Sequence, residues 1–586
     1  MPRYHLKALT VASCVTLTTA AHADAHRYAL AMMHFNVQYV AGGLVGSKLA
    51  VDPANAPDDR EVEDGIVTQS LEPVLDLYLA HPTWGTNIEM QGYMLDVIAA
   101  RHPVVLEKLR TLAVAGRVEV VSFQYSDQLF LGHAKEDWER SVALTKATFA
   151  GYQIPLGKAV FCQEGQSGEG MAAPMVANGY ETLVWPKNLF SFLHEGLESA
   201  PLYAFGDAFM ITSRGLSYSE GANTLDTTWT FVDDGELLAT GGINPYIWDA
   251  FVKSADAVAK YEASVVSLEQ KGYQVTTVSK YVAAIRTWVT PAVPPPLLDG
   301  TWQPSSTDGT YRWMGKGGVE ERDGDVRSAL ALAHRELVLA ETIAKSAGLD
   351  ARAELDAAWR MLALGEVSDA TGVNPWRSEV EYGLGYAAET LRLARDVIDA
   401  GKTALAQRSV TIDSDAGTVA NGAIDAQPPM PVDAPLALGV DTGGRAATVT
   451  WSLAAPNHYV VAVAIAAGPG RSASVRFPGS GPDIVYTPAL AETPVHRPRA
   501  AFGFEHFDLA LHDGLIGIAP GRWVVKDQAF VHVGARVRVD GPDVEFHEDT
   551  LSSDDAITWV FHVLDGDEAT ATQFARRLNV RPRCVR

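Results

Sequence analysis

The chain has 586 residues, 47 Lys+Arg against 71 Asp+Glu, and a formal charge of −24. That length predicts about three domains, and 47% hydrophobic with 20% charged residues excludes wholesale disorder. The acidic balance argues against nucleic acid or an anionic membrane as partner, three cysteines exclude a disulfide framework, and no later apolar run reaches the ~20 residues of a membrane span.

The N-terminus sets the compartment. Arg3 and Lys7 precede an apolar stretch from Ala8 to Ala21, and Ala21-His22-Ala23 supplies small residues at a cleavage site. This order predicts a signal peptide over residues 1–23, cut near Ala23, and a secreted or periplasmic mature chain. Val11-Ala12-Ser13-Cys14 also fits a lipoprotein box, though few apolar residues precede it. Without Cys14, Cys162 and Cys584 remain, and an oxidising compartment permits their pairing.

From residue 24 to 290, strand-like runs (Tyr28–Met33, Val118–Phe123, Lys158–Phe161, Glu181–Trp185, Ala208–Thr212, Thr228–Val232) alternate with helical periodicity at Glu107–Ala113, Trp138–Phe149 and Ala255–Lys271. The alternation predicts an α/β domain on a parallel sheet, either a (β/α) barrel or an open sheet. Pro291-Ala292-Val293-Pro294-Pro295-Pro296 begins a stiff linker and connecting segment over 291–324. Long helices are expected at Asp325–Ala347, Ala351–Gly365 and Glu379–Ala400, forming a helical domain over 325–402. Beyond it, short alternating runs at Ala447–Leu453, Tyr459–Ala466, Ser474–Phe477 and Ala529–Val539 predict a β-sandwich over 403–586.

Catalytic groups of a barrel sit where strands run out into loops at the C-terminal face. Here one strand runs into His34-Phe35-Asn36-Val37-Gln38, and another into Gln124-Tyr125-Ser126-Asp127. Two more end in Cys162-Gln163-Glu164-Gly165 and Asp233-Asp234-Gly235-Glu236. Paired carboxylates on separate loops are what cleavage of a glycosidic bond needs, one to attack the anomeric carbon and one to protonate the departing oxygen. Trp185, Trp229, Tyr246 and Trp248 are candidate faces for sugar stacking. Cys162 has no neighbouring His and is expected to be a buried structural thiol. Asp413-Ser414-Asp415-Ala416-Gly417 lacks the distal Glu of a calcium loop and is expected to be a turn.

The order of these segments resembles glycoside hydrolase family 57, an incomplete (β/α)7 barrel followed by a helical region. Val160-Phe161-Cys162-Gln163-Glu164 resembles the family's nucleophile motif, and Asp233-Asp234-Gly235-Glu236 resembles its general-acid motif. The resemblance therefore implies Glu164 as nucleophile and Asp234 as general acid/base. Gly116-Arg117-Val118-Glu119-Val120 resembles the family's G-x-[IV]-E strand, and Ser368-Asp369 resembles the element of its helical region that reaches back to the barrel. On this resemblance His34, Asn36, Gln38, Asp127, Trp185, Glu236, Trp248 and Asp369 shape the sugar pocket. The opening H-x-H-Q-P of the family stands here as His34-Phe35-Asn36-Val37-Gln38, with Asn in place of the second His.

Family 38 α-mannosidases share the barrel-plus-helices plan and build a zinc site on a similar strand end, with an aspartate nucleophile as ligand. The missing second His and a Glu at the nucleophile position argue against zinc, and no H-E-x-x-H or C-x-x-C supplies a metal site elsewhere. The expectation is a secreted retaining glycoside hydrolase or transglycosylase for α-linked oligo- or polysaccharides, without cofactor or metal. In such an enzyme the two carboxyls stand about 5–6 Å apart. Two alternatives are a carbohydrate-binding protein on a decayed barrel and a zinc-dependent α-mannosidase-like hydrolase. A metal-dependent polysaccharide deacetylase needs a D-D…H-x-x-x-H ligand set that the sequence lacks.

Overall fold

The structure, a computed structural model, describes residues 25–45, 54, 56–240, 253–304, 323–368, 377–405, 410–413, 418–421, 430–491, 493–499, 508–509, 513–527, 536–548, 551, 556–580 and 583–585. The expected signal peptide, Tyr246, Trp248, Asp369 and most of the 413–417 turn lie outside these residues. Among the described residues, no helix is long and apolar enough to cross a membrane.

Among the described residues, ten strands precede the long helices: β1 (Ala25–Phe35), β2 (Thr86–Met90), β3 (Val118–Val121), β4 (Ala159–Val160), β5 (Thr182–Trp185), β6 (Tyr203–Phe205), β7 (Ala208–Thr212), β8 (Leu216–Glu220), β9 (Asn223–Asp234) and β10 (Gln274–Val275). β1 is buried from Tyr28 onward on both faces, which is why it reads as a near-continuous apolar run rather than an alternating one. One sheet runs β3-β2-β1-β9-β8, with β10 also on β1, and a second runs β4-β5-β7-β6. The β1–β2, β1–β9, β2–β3, β4–β5 and β5–β7 pairs are parallel.

Of the incomplete (β/α)7 barrel expected over 24–290, the described residues show two largely parallel sheets, joined by a parallel bridge between Val120 and Leu156. On the other side, a pair of hairpins keeps the two sheets from meeting. β6 folds back antiparallel on β7, and β8 folds back antiparallel on β9. Each hairpin occupies an edge that a further parallel strand would need. At the opposite end of the strands from the candidate site, buried Glu119 of β3 accepts backbone N–H groups from Lys158 (3.1 Å), Ala159 (3.2 Å) and Ser279 (2.9 Å). That carboxylate ties the two sheets to the helix Val278–Ile285.

The three expected helices appear as Asp323–Ala347, Arg352–Gly365 and Arg377–Leu405, sharing one apolar core around Leu330, Leu337, Trp359 and Leu362. Beyond them lies a separate antiparallel domain with an eight-stranded and a five-stranded sheet. Ala473–Phe477 alternates buried and half-buried residues as a one-sided strand should. Of the expected run Ala529–Val539, the described part is the strand Arg536–Asp540. Val461 and Val463 share one core cluster with Val475, Phe477, Phe546 and Phe561.

That cluster does not stop at the domain edge. It runs on through Leu297 and Leu298 to Met171 and to Leu183 and Trp185 of the second sheet. The proline-led segment, expected as a plain linker, instead packs on the sheets: Ala292 exchanges backbone hydrogen bonds of 2.9 Å with Leu202 and Ala204 beside β6.

Candidate active site

Parallel register brings three polar side chains together. His34 is paired across β1–β2 with Glu89 and across β1–β9 with Asp234, so all three stand side by side at the C-terminal ends of adjacent strands. His34 Nδ1 lies 2.5 Å from Glu89 Oε2, and Gln163 Nε2 donates to Glu89 Oε1 at 2.6 Å. Burial pushes Glu89 well above the usual carboxylate range, and the Gln163 hydrogen bond pulls it part of the way back. The imidazole is thereby oriented from behind by a buried carboxyl, leaving Nε2 as the nitrogen that Glu89 does not engage.

Glu164 follows β4 in a left-handed backbone conformation, φ 55° and ψ 19°, that a non-glycine residue adopts only when its surroundings hold it. Trp302 does the holding. Its backbone N–H donates to the Glu164 carbonyl at 3.1 Å, and its indole Nε1–H donates to Glu164 Oε2 at 3.2 Å. The same indole stands edge-on to His34, with ring centroids 5.4 Å apart. Burial, and then the neighbouring Asp127, push the Glu164 carboxyl well up; His34 and the indole N–H oppose them.

Asp234 ends β9, half-buried, and is pushed up to about 6, first by desolvation and then by Asp233, against the pull of His34 and a hydrogen bond from Tyr39. Asp234 in turn raises Glu164, so the two carboxyls share one electrostatic environment around His34. A pair so coupled resists losing both protons together.

Four expected pocket residues brace the site from within. Asn36 Nδ2 donates to Asp127 Oδ2 at 2.8 Å, while its Oδ1 accepts from the Gln38 backbone at 2.7 Å and from Gln91. Gln38 spends both ends of its amide, donating to the Tyr382 hydroxyl at 2.8 Å and accepting from the Asp127 backbone at 3.0 Å. Glu236 is fully buried and accepts the Asn36 backbone N–H. Asp127 is also fully buried and accepts from the Ser368 hydroxyl at 2.5 Å; the same hydroxyl lies 3.5 Å from Glu164 Oε1. Ser368 is placed by an antiparallel bridge between Gln128 and Val367, through which the helical region enters the site.

Trp185 departs from expectation more sharply. Its ring is 0% exposed in the core shared with the antiparallel domain, so it has no open face for a sugar. The indole beside Glu164 is Trp302, in the segment expected as linker. Glu89, Gln91 and Gln163 were equally invisible as site residues, because polar residues at or just beyond the ends of short strands carry no sign of which others they will meet. Cys162 is free and buried, as expected of a structural thiol, and burial pushes that thiol well up.

His34, Asp127 and Glu164 each offer a ligand atom, all within 4.8 Å of one another. Asp127 Oδ1 is buried with no hydrogen-bond partner among the described residues. One imidazole and two carboxylates, one with an unclaimed oxygen, fit a divalent cation such as zinc.

No family model matches the sequence, and no curated protein matches it. The fold is similar to that of an α-mannosidase from Enterococcus faecalis V583, at 8% identity and TM-score 0.63, covering 96% of this chain and 90% of the other. It is also similar to a glycosyl hydrolase family 38 protein from Enterococcus faecalis, at 10% identity and TM-score 0.52, covering 96% and 89%. A glycoside hydrolase family 57-type branching enzyme from Pyrococcus horikoshii aligns at 12% identity and TM-score 0.45, over 64% of this chain and 94% of that one. The first two likenesses extend through the α/β sheets, the helical region and the antiparallel domain.

Proposed function

We propose that this chain is a secreted retaining glycosidase or transglycosylase acting on α-linked glycans. The observation that carries this reading is the convergence of Glu164 and Asp234 on His34 at the strand ends, with Glu164 held in place by Trp302. Glu164 attacks the anomeric carbon as the glycosidic C–O bond breaks, and Asp234 gives its proton to the departing oxygen. Water or an acceptor hydroxyl then loses a proton to Asp234, attacks the same carbon and releases Glu164. The two carboxyls must start in opposite protonation states, and their mutual repulsion favours one shared proton over none.

The test is a panel of α-glucans, α-mannans and α-galactans given to the mature protein and to Glu164→Gln. Wild type is expected to turn over one class with retention of anomeric configuration, and the variant to lose roughly 10³-fold or more. Equal turnover by both proteins, or inversion, refutes the assignment.

The donor set of His34, Asp127 and Glu164, together with the fold shared with an α-mannosidase, favours a second reading. In it these three residues would hold a divalent cation, which when bound acts as a Lewis acid toward a sugar hydroxyl. Metal analysis of the purified protein separates the two: one equivalent of metal, lost in His34→Ala, supports the second reading.

A further inference from the structure

We propose that the antiparallel domain sets the conformation of Glu164 through the strap 297–302, with Asp299 as the positioning residue of that connection. The proposal rests on the reading of Glu164 as nucleophile and assigns the antiparallel domain a part in the same site.

Glu164 sits in a conformation that its own backbone disfavours, so something outside the loop has to maintain it. Trp302 grips it at two points, the carbonyl and the carboxylate. The place of Trp302 depends in turn on the strap. Gly300 and Ser167 exchange two backbone hydrogen bonds of 2.9 Å, which lays the strap antiparallel along the loop that follows Glu164.

Asp299 anchors the strap on both sides. Its carboxyl is buried, and its oxygens accept from two different domains: Oδ2 from the Ala489 backbone N–H at 2.8 Å, Oδ1 from the Glu169 backbone N–H at 3.3 Å. Ala489 lies in the turn after the strand Asp483–Tyr486 of the antiparallel domain. Its neighbour Leu490 is itself left-handed, φ 63°, so this turn too is held rather than relaxed. A second tie runs in parallel, because the Glu169 carboxylate accepts from Tyr486 Oη at 3.3 Å and pairs with Arg497.

The glycines show how close the surfaces come. A Cβ at Gly168 would stand 2.4 Å from Asp299 Oδ1, and one at Gly170 would stand 2.3 Å from the Ala489 carbonyl oxygen. The chain of contacts from Ala489 to Asp299, Gly300, Trp302 and Glu164 is continuous, and each link is a hydrogen bond or a peptide connection.

The experiment compares full-length wild type, Asp299→Ala and the milder Asp299→Asn, which keeps the shape and one acceptor. Hydrogen exchange is followed by mass spectrometry over peptides containing Ser167, Gly300 and Trp302, and kcat and KM are measured on the glycan of the panel that wild type turns over. Asp299→Ala is expected to speed exchange at these amides by at least about tenfold. The strand Ile557–Asp565, distant in the same domain, should keep its wild-type exchange.

Misplacement of the attacking group is expected to lower kcat about 100-fold, with KM moving much less. Asp299→Asn should recover part of both effects, and it carries the test alone if the alanine variant does not fold. Unchanged exchange at the strap, or loosened exchange with wild-type kcat, overturns the proposal. Loosened exchange in a protein whose wild type turns over no glycan upholds the connection and overturns the reading of Glu164.

Discussion

Trp302→Phe isolates a single hydrogen bond. The indole N–H, 3.2 Å from Glu164 Oε2, is the one polar group of the side chain, and phenylalanine cannot supply it. The ring contacts to His34 and Phe161, with centroids 5.4 and 5.7 Å away, are edge-on and survive in smaller form. The backbone bond from residue 302 to the Glu164 carbonyl is untouched. A hydrogen bond to an ionised acceptor contributes about 1.5–3 kcal/mol, equivalent to about one to two decades in a rate or in a protonation constant.

Because that bond favours the ionised carboxyl, its loss raises Glu164 further. The acidic limb of kcat/KM should therefore move to higher pH by roughly one to two units, and kcat/KM at its acidic side should fall about 10- to 100-fold. A pH–rate profile on the glycan that wild type turns over reads both quantities. Wild-type kcat/KM with an unmoved acidic limb refutes the reasoning, even if the melting temperature falls.

For the wild-type protein, Asp234 pushed up to about 6 must be protonated to serve as acid, so kcat/KM should decline as pH rises through about 6. Glu164 must be ionised and is pushed above its ordinary range by burial and Asp127, so activity should also fall on the acidic side, at a higher pH than a free carboxylate would give; a profile flat from pH 4 to 9 would contradict this. Asp234→Asn should remove the alkaline limb and cost roughly 10²- to 10⁴-fold in rate. Glu119→Ala, at the far end of the strands, leaves the backbone amides of Lys158, Ala159 and Ser279, the second of them buried, without their acceptor and should lower stability by about 2–5 kcal/mol in denaturant titration. The kcat of that variant, measured well below its unfolding transition, should stay at the wild-type value.

Element type was legible wherever burial was one-sided or total. The helices Arg352–Gly365 and Ala255–Gln270 lie within a residue of their expected bounds, because long amphipathic periods carry their own signal. Sheet closure was not legible. Whether β8 pairs with β9 or continues a parallel barrel depends on a hairpin between two short runs of similar composition. The strand exits that carry Glu164 and Asp234 could be marked because carboxylates ending apolar runs are unusual in sequence. Trp185 was expected in the pocket and Trp302 was not singled out, for the opposite reason: an indole has the same signature in a core as beside a carboxylate, and only its neighbours tell the two apart.

The amino-acid sequence by itself determined the three regions, the types of their elements and the exits that bear His34, Glu164 and Asp234. These follow from local periodicity, turn chemistry and charge, which need no knowledge of partners distant in the chain. Tertiary structure alone decided that His34, Glu89 and Asp234 stand in register, that Ser368 and Trp302 reach Glu164, and that the antiparallel domain is bonded to the strap beside it. Those contacts join residues as far as 204 positions apart. Which of many polar residues meet at that range is set by strand register and domain packing, and neither leaves a mark on the local sequence.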